Sequence, residues 1–138
     1  MAAQEIRDHL ARAKRAPTTQ NLETLWRAVF MLQAWYFLPA TDAEGPSHPS
    51  VTLVEGQAWL LAFTNVRRVK EFARAAKRVN TKDEMFLLVL DPLQSIERIR
   101  EAGEHIEGVI FNIGSDETFR TTTEALEGFA RHFGLPLS

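Results

Sequence analysis

The alternation of hydrophobic and polar positions is clearest in residues 51–79, where the pattern changes from strand-like to helix-like. Residues 51–54 are mostly β-branched, and Glu55-Gly56 supplies a two-residue turn in which glycine takes a positive φ without steric cost. Side chains of residues 57–63 would point alternately to the two faces of a strand. Six consecutive residues here are apolar, which predicts a central strand covered on both faces. A hairpin of two strands is therefore expected here.

A basic helix is predicted directly after this hairpin. Thr64 or Asn65 can accept a hydrogen bond from an unpaired backbone N–H at the start of the helix. Apolar residues then recur at helical spacing and predict the stripe that packs on the sheet. The stripe consists of Val66, Val69, Phe72, Ala73 and Ala76.

Two helices, a strand and a loop are predicted before the hairpin. Residues 1–16 carry only a thin apolar stripe, so we expect them to form a peripheral N-terminal helix. A second amphipathic helix is predicted over residues 19–33, and the aromatic residues 35–38 are expected to form a strand that ends at a proline. Residues 41–50 are rich in glycine, proline and serine, which predicts a loop.

The C-terminal half alternates between strands and helices. Residues 85–90 and 106–113 are predicted as strands. Asp91-Pro92-Leu93-Gln94 combines a capping aspartate, a proline at the first helical position and a glutamine that can return the bond to the cap. Ser115-Asp116 is expected to open the last helix, which stops at a glycine and a proline near the end of the chain.

These elements predict an α/β or mixed α+β fold. The expected architecture is a single mixed β-sheet of about five strands with four to five helices, in one domain over residues 1–138. We expect one shared core at the centre of the sheet. It should contain Trp59, Leu61, Phe63, Phe72, Leu88 and Phe111.

Charge is divided unevenly along the chain, although the net charge is only −2. Residues 65–82 hold seven Lys or Arg and one Glu, whereas residues 83–138 hold four Arg and eleven Asp or Glu. A positive surface of this kind is typical of a binding site for an acidic partner. The candidate partner-binding residues are Arg67, Arg68, Lys70, Arg74, Lys77 and Arg78.

Three interpretations of this basic segment stay open. It can be a solvated face that pairs with the protein's own acidic residues, a binding site for an acidic protein, or a nucleic-acid footprint. Nucleic acid is the least favoured partner, because the sequence pI is about 6.1 and the basic face has no aromatic residue for base stacking.

The stretch Asn112-Ile113-Gly114-Ser115 is a second candidate site, for a small molecule or an anion. It lies between a predicted strand and a predicted helix, where backbone N–H groups can hold an anion. The candidate ligand-binding residues are Asn112, Gly114 and Ser115. The alternative is structural: the first two shape a turn, and Ser115 caps the helix.

Neither catalysis nor a cofactor is expected from the sequence. The four histidines, at positions 9, 48, 105 and 132, have no metal-ligand spacing, and the chain contains no cysteine. Ser47, His48 and Ser50 are close in sequence, but nothing signals the orienting acid and oxyanion hole that a triad needs. No catalytic residue, metal or cofactor is therefore predicted, and the expected role is the binding of a partner protein.

The composition also bears on location. No apolar run approaches the roughly 18 residues of a membrane span, and the N-terminal residues have no apolar segment of the secretory type. We therefore expect a cytoplasmic protein without membrane contact. Its oligomeric state is left open.

Several segments together resemble the N-terminal domain of the SseB family, bacterial proteins named for enhanced serine sensitivity. They are Leu61-Ala62-Phe63-Thr64-Asn65 at a strand end, Asp91-Pro92-Leu93 at a helix start, and Val109-Ile110-Phe111-Asn112 at a later strand end. The family continues the last of these into an Asn-Pro-Gly-Ser type of loop, whereas here Ile113 stands in place of the proline. The resemblance covers roughly residues 20–133. It implies an α/β fold in a bacterial cytosolic protein and supplies no catalytic residues.

Overall fold

The structure is a computed structural model that describes residues 2–40 and 49–137, with side chains described from residue 6 onward. These ranges contain five α-helices and six strands. In chain order they are α1 (Ala2–Arg15), α2 (Thr19–Phe30), β1 (Trp35–Phe37), β2 (Val51–Val54), β3 (Gln57–Ala62), α3 (Val66–Ala75), β4 (Leu88–Leu90), α4 (Pro92–Ala102), β5 (Gly108–Phe111), β6 (Phe119–Thr122) and α5 (Thr123–His132). The predicted mixed α/β class is confirmed.

Four strands form the main sheet in the order β2-β3-β5-β6. Strands β2 and β3 form the predicted hairpin, with φ angles of 53° at Glu55 and 81° at Gly56. Two positive φ angles in a two-residue turn match the right-handed twist of the flanking strands. Strand β5 runs parallel to β3, and β6 returns antiparallel to β5. The centre of the sheet is therefore one parallel pair.

The predicted single sheet is divided in the structure. Strands β1 and β4 pair with each other in a separate two-stranded sheet. Strand β1 meets β3 only through an isolated bridge between Tyr36 and Phe63. Two prolines, Pro39 after β1 and Pro49 before β2, lack the N–H that would extend the ladder.

The strand predicted over residues 85–90 is shorter than expected. Only Leu88–Leu90 pairs, and Phe86 before it is 86% exposed. Asp83 has a positive φ of 63° in the turn that leads into this stretch. Strand β4 has β1 on one side and no described residue paired on the other. It is thus an edge strand rather than a buried one.

Strand β6 was not predicted. Residues 119–122 pair with β5 instead of continuing a helix from Ser115-Asp116. The Phe119 ring stacks on Phe111, with ring centroids 5.0 Å apart, and this contact favours the strand. Helix α5 then begins after Thr122, whose side chain caps it by accepting from Ala125 N–H at 3.2 Å.

The main sheet separates two hydrophobic cores. The main core contains Leu60, Ala62 and Phe111 with residues of α1, α2, α4 and α5. The second core contains Trp59, Leu61 and Phe63 with residues of α3. The predicted alternation along β3 is therefore confirmed by which core each residue enters.

The expectation of one shared core is wrong. Phe111 and Leu88 pack with the main core, across the sheet from Trp59 and Leu61. Phe72 is only partly buried against the second core, where its ring lies 5.6 Å from that of Phe63. Both faces of a parallel pair need cover, and this chain supplies a separate layer for each.

Helix α1 contributes more to the core than its thin stripe predicts. Ile6, Leu10 and Ala13 are all buried and belong to the main core. The helix packs mainly against α2. Three apolar residues are enough here, because all of them are buried in the main core.

The predicted helix starts of α3 and α4 are confirmed. Asn65 caps α3 by accepting from Arg68 N–H at 2.9 Å, and Asp91 and Gln94 form a capping box at α4. Gly103 ends α4 with a φ of 53°. Within residues 2–40 and 49–137, no helix has both the length and the apolar character to cross a membrane.

Candidate functional site

The basic segment, residues 65–82, folds as α3 followed by turns. Helix α3 ends at Ala75 and Ala76 is its C-cap, which is earlier than the apolar periodicity predicts. Lys77 has a positive φ of 58°, which does not continue a right-handed helix. The cations therefore lie on two pieces of backbone rather than along one long helical face.

Most cations of α3 have carboxylate partners in the same chain. Arg67 lies 3.4 Å from Glu71, and the Lys70 ammonium lies 3.2 Å from Asp83. Arg74 donates from Nε to the same Asp83 at 3.0 Å. Hydrogen bonds from Arg74 and then Lys70 hold the pKa of Asp83 well below its ordinary value. The positive field of the segment is therefore smaller than its composition indicates.

Arg68 is buried in the first turn of α3, and its prediction as an exposed binding residue is wrong. One of its terminal nitrogens lies 2.6 Å from Glu117, which also accepts from Arg7 Nε at 2.6 Å. Burial alone would raise the pKa of Glu117, but the hydrogen bonds from Arg68 and Arg7 outweigh it and the pKa is lowered. These three side chains form an ion cluster in which Glu117 stays ionised at neutral pH.

Arg78 is bound at the start of β2. It donates to the Ser50 hydroxyl at 2.7 Å and to the carbonyl of Pro39. This guanidinium joins segments of its own chain, and its role in partner binding stays a prediction. The Lys77 side chain beside it is exposed, and its ammonium has no hydrogen bond or ion pair with any described residue. It is the candidate from this segment whose charge is least compensated.

Asn112 holds together the ends of the two central strands. It is completely buried, and its side-chain oxygen accepts from the Thr64 backbone N–H at 3.0 Å. Its side-chain nitrogen donates to the Thr64 hydroxyl at 3.1 Å. Asn112 has a φ of 57°, a conformation that asparagine tolerates better than most residues. We call this pair the Asn112–Thr64 latch.

Ser115 organises a turn and does not cap a helix, which corrects the predicted helix start. Its hydroxyl donates to the Asn112 carbonyl at 2.7 Å and accepts from the Glu117 N–H at 3.1 Å. Gly114 between them has a φ of 82°. The turn leads into β6, so the peptide groups after Ser115 are not the free N-terminus of a helix.

The two sites predicted from sequence meet at the carboxyl ends of β3 and β5. Arg68 of the basic segment pairs with Glu117 of the polar loop, and Asp116 lies 3.6 Å from the same guanidinium. This edge of a parallel pair is where α/β folds place ligands. Here, however, its polar side chains bind one another, and two carboxylates occupy the positions that an anion would need.

The outer edge of β2 differs from that polar edge. Strand β2 ends the sheet, and from Val51 to Val54 no described residue pairs with its outer side. Val54 and Gln57 flank the two-residue turn, so they form a hydrogen-bonded pair across the hairpin. Hydrogen-bonded and non-hydrogen-bonded positions alternate along an antiparallel strand, so the N–H and C=O groups of Leu53 and Val51 point away from β3. The Leu53 side chain is 73% exposed and that of Val51 is 49% exposed.

A groove of about 350 Å³ adjoins this edge, between β2 and the C-terminal end of α4; we call it the edge groove. Its apolar lining includes Val51, Leu60, Ala102 and Ile106. Arg98, Glu101 and His105 supply its ionisable side chains. Together, the open strand and the edge groove combine backbone pairing groups with apolar surface.

The β2 edge was missed by the sequence predictions, although a signal was present. Val51 and Leu53 have the same parity on the strand, opposite Leu60 and Ala58. Apolar residues at alternate positions of a strand predict a face that is covered by another layer. Only the three-dimensional structure shows that α4 leaves these two side chains exposed. The exposure is therefore a tertiary property.

The three histidines that the structure describes have separate surroundings. His132 lies 3.3 Å from Glu23, His9 lies 3.4 Å from Arg12, and His105 lines the edge groove. Ser47 and His48 of the serine–histidine loop lie outside the described residues. Ser50 is buried and donates to the Leu38 carbonyl at 3.0 Å. Across the described part of the chain, no group of three metal-ligating side chains comes together.

Comparisons with known proteins do not identify the chain. A scan of protein-family models gives no match. A search of curated proteins also finds no significant match. The SseB resemblance therefore stays a prediction, and the functional argument depends on the surface itself.

Proposed function

We propose that this chain is a non-catalytic partner-binding domain, and that β2 takes up an extended, acidic segment of another protein as an additional strand. The observation that carries the proposal is the outer edge of β2, with which no described residue pairs and where outward backbone groups coincide with the exposed side chains of Val51 and Leu53. Strand addition to a sheet edge is a recurrent mode of peptide recognition.

Two kinds of contact would hold the segment. The outward N–H and C=O groups of Val51 and Leu53 would pair with its backbone and supply affinity with little dependence on sequence. Alternate side chains of the segment would lie over Val51 and Leu53, next to the edge groove. Apolar residues at alternate positions of the segment are therefore expected.

The acidic character of the segment follows from the cations at the Ser50 end of β2. The bond from Arg78 to Ser50 brings the basic segment to this end, and Lys77 is exposed beside it. Such charges favour an acidic segment and speed its association.

The other interpretations have less support in the geometry. A ligand at Asn112, Gly114 and Ser115 would compete with the Asn112–Thr64 latch and with Glu117. A polyanion would meet Arg67, Lys70 and Arg74 already paired with carboxylates. We retain the bacterial cytoplasm as the proposed location, from the resemblance and from the absence of cysteine.

A peptide selection tests the proposal directly. The purified domain would be immobilised and used to select from a library of random ten-residue peptides at low and at physiological salt. We expect the enriched peptides to alternate apolar residues and to carry Asp or Glu. Binding should weaken as salt rises, because exposed charges are screened beyond about 10 Å at roughly 0.1 M.

Matched variants locate the binding site. Leu53→Glu should abolish binding of the selected peptides, whereas Val89→Glu places the same charge on the exposed edge strand β4 and should leave binding unchanged. Leu53→Pro removes an outward N–H without breaking the β2–β3 ladder and should also abolish binding. Lys77→Asn, which keeps the positive φ, should weaken binding by up to about fivefold, as exposed ion pairs do. Peptides that bind equally well to the wild type and to Leu53→Glu would refute the proposal.

A further inference from the structure

A second groove lies beside β6, at the opposite edge of the main sheet from β2. It is formed by the C-terminal half of α1, by α2 and by the start of β6, and we call it the helical groove. Its volume is about 310 Å³, at the lower end of the roughly 300–1,000 Å³ range of small-ligand sites. It has no part in the proposed strand addition.

The floor of the helical groove is aromatic and firmly held. Trp26 and Phe119 line it, and their ring centroids are 5.4 Å apart in an edge-to-face arrangement. Both side chains are buried in the main core, so the floor is preformed. Leu22 borders the groove and is partly exposed, which leaves apolar surface open to a ligand.

The ionisable lining of the groove is positive only. Among the described residues that line it, Lys14 and Arg120 carry charge and none is acidic. The Arg120 guanidinium lies 4.8 Å from the centroid of the Trp59 ring, which belongs to the second core on the other face of the sheet. Lys14 therefore supplies the charge on the groove side.

Lys14 is weakly engaged within the protein. The contact recorded for its ammonium is a 3.5 Å hydrogen bond to the backbone carbonyl of Asp116, at the distance limit of such bonds. The Thr118 hydroxyl in the same lining has no proton left to donate to a carboxylate, because its single O–H is shared between the carbonyls of Asn112 and Ser115. The ammonium is thus the polar group that the groove offers to a ligand.

We infer that the helical groove binds a small carboxylate with an apolar tail, in the size class of a medium-chain fatty acid. The tail lies on Trp26 and Phe119 beside Leu22, and the carboxylate pairs with the Lys14 ammonium. Apolar lining with one well-placed polar group is the usual composition of small-ligand sites. The absence of an acidic side chain in the described lining favours an anionic head over a cationic one.

The test is an NMR titration of the full chain with octanoate and, in parallel, with 1-octanol as a neutral probe of equal length. We expect saturable amide shifts at residues 22–26 and 118–120, with octanoate binding more tightly than octanol. Lys14→Gln should weaken octanoate up to about fivefold, as expected for an exposed ion pair, and leave octanol unchanged. Lys14→Arg keeps the charge and should retain the preference for octanoate.

A second pair of variants tests the apolar wall. Leu22→Glu places a carboxylate at the border and should remove octanoate binding, whereas the uncharged Leu22→Gln should weaken both probes equally. Leu22 is partly exposed, so both variants are expected to fold, and thermal melts would verify this. Equal affinity of the wild type for octanoate and octanol, shifts without saturation, or shifts confined to the edge groove would each overturn the inference.

Discussion

The carboxyl ends of β3 and β5 and the outer edge of β2 belong to the same sheet, yet they differ in almost every physical respect. At the strand ends, polar side chains are buried and bind one another, as in the Asn112–Thr64 latch and the Arg68–Glu117 pair. At the β2 edge, apolar side chains are exposed, and no described residue pairs with the strand's outer side.

This difference separates polarity from accessibility in a small domain. Polar residues in a loop suggest a site when they are seen in sequence, but here their donors and acceptors stabilise the fold. Exposed apolar residues on an edge strand suggest nothing in sequence, yet exposed groups are the ones a partner can reach. If this comparison is correct, substitutions at the strand ends must lower the stability of the fold. Substitutions at the β2 edge must instead weaken partner binding and leave stability nearly unchanged.

The largest effect on stability is expected from Glu117→Gln. The substitution leaves Arg68 buried with only the more exposed Glu71 and Asp116 as partners. Removing one member of a buried ion pair costs about 3–5 kcal/mol, and the remaining carboxylates place this case near 3 kcal/mol. Urea unfolding of the variant and of the exposed control Glu124→Gln would measure the difference. A loss below about 1 kcal/mol would show that the cluster is not structural.

The same pair predicts a pH dependence with a defined sign. The pKa of Glu117 is lowered in the folded state, so its stabilisation is complete above its ordinary value of 4.5 and is lost as the pH falls through the folded pKa. The wild type should therefore lose stability more steeply than Glu117→Gln on acidification below about pH 4.5. Parallel acid profiles of the two proteins would contradict this assignment.

An effect of about the same size is expected at the latch, where two costs add. Asn112→Ala leaves the buried Thr64 N–H without its acceptor, at about 1–3 kcal/mol, and places alanine at a positive φ, at about 1–2 kcal/mol. Asn112→Gly accepts that φ, so it should lose only the first part. The difference between the two variants in denaturant melts therefore separates the backbone strain from the latch. Equal losses would mean that strain makes no contribution.

The smallest effect on stability is expected at the β2 edge. Leu53→Ser replaces an exposed side chain and should change the free energy of unfolding by no more than about 0.5 kcal/mol. The same variant should bind the selected peptides much more weakly than the wild type does. If Leu53→Ser instead destabilises the protein by more than about 1 kcal/mol, the residue is part of the core and the comparison between the two regions fails.

Local signals predicted much of the fold. The hairpin at Glu55-Gly56, the cap at Asn65 and the capping box at Asp91 each depend on residues that are close in sequence. They can therefore be predicted from the sequence alone. Strand β6 was missed because its pairing with β5 depends on a contact between Phe111 and Phe119, not on a local pattern. The division into two cores likewise depends on which layer covers each face of the sheet.

The candidate sites were predicted less well, for a related reason. The sequence treated the basic segment and the polar loop as separate candidate sites, and in the structure Arg68 of the first pairs with Glu117 beside the second. It did not show that Arg68 and Arg78 are used inside the fold, because ion pairs between distant residues have no sequence spacing. The exposure of Leu53 was equally hidden, since it depends on where α4 ends.

The composition of β2 favours self-association of the protein at high concentration. Edge strands in natural sheets usually carry lysine, proline or a bulge that prevents one molecule from adding to the next. Residues 51–54 are Val, Thr, Leu and Val, and none of them is such a protecting residue. An unoccupied edge of this kind is a template for aggregation. The proposed partner segment would therefore also keep β2 from pairing with a second copy of the chain.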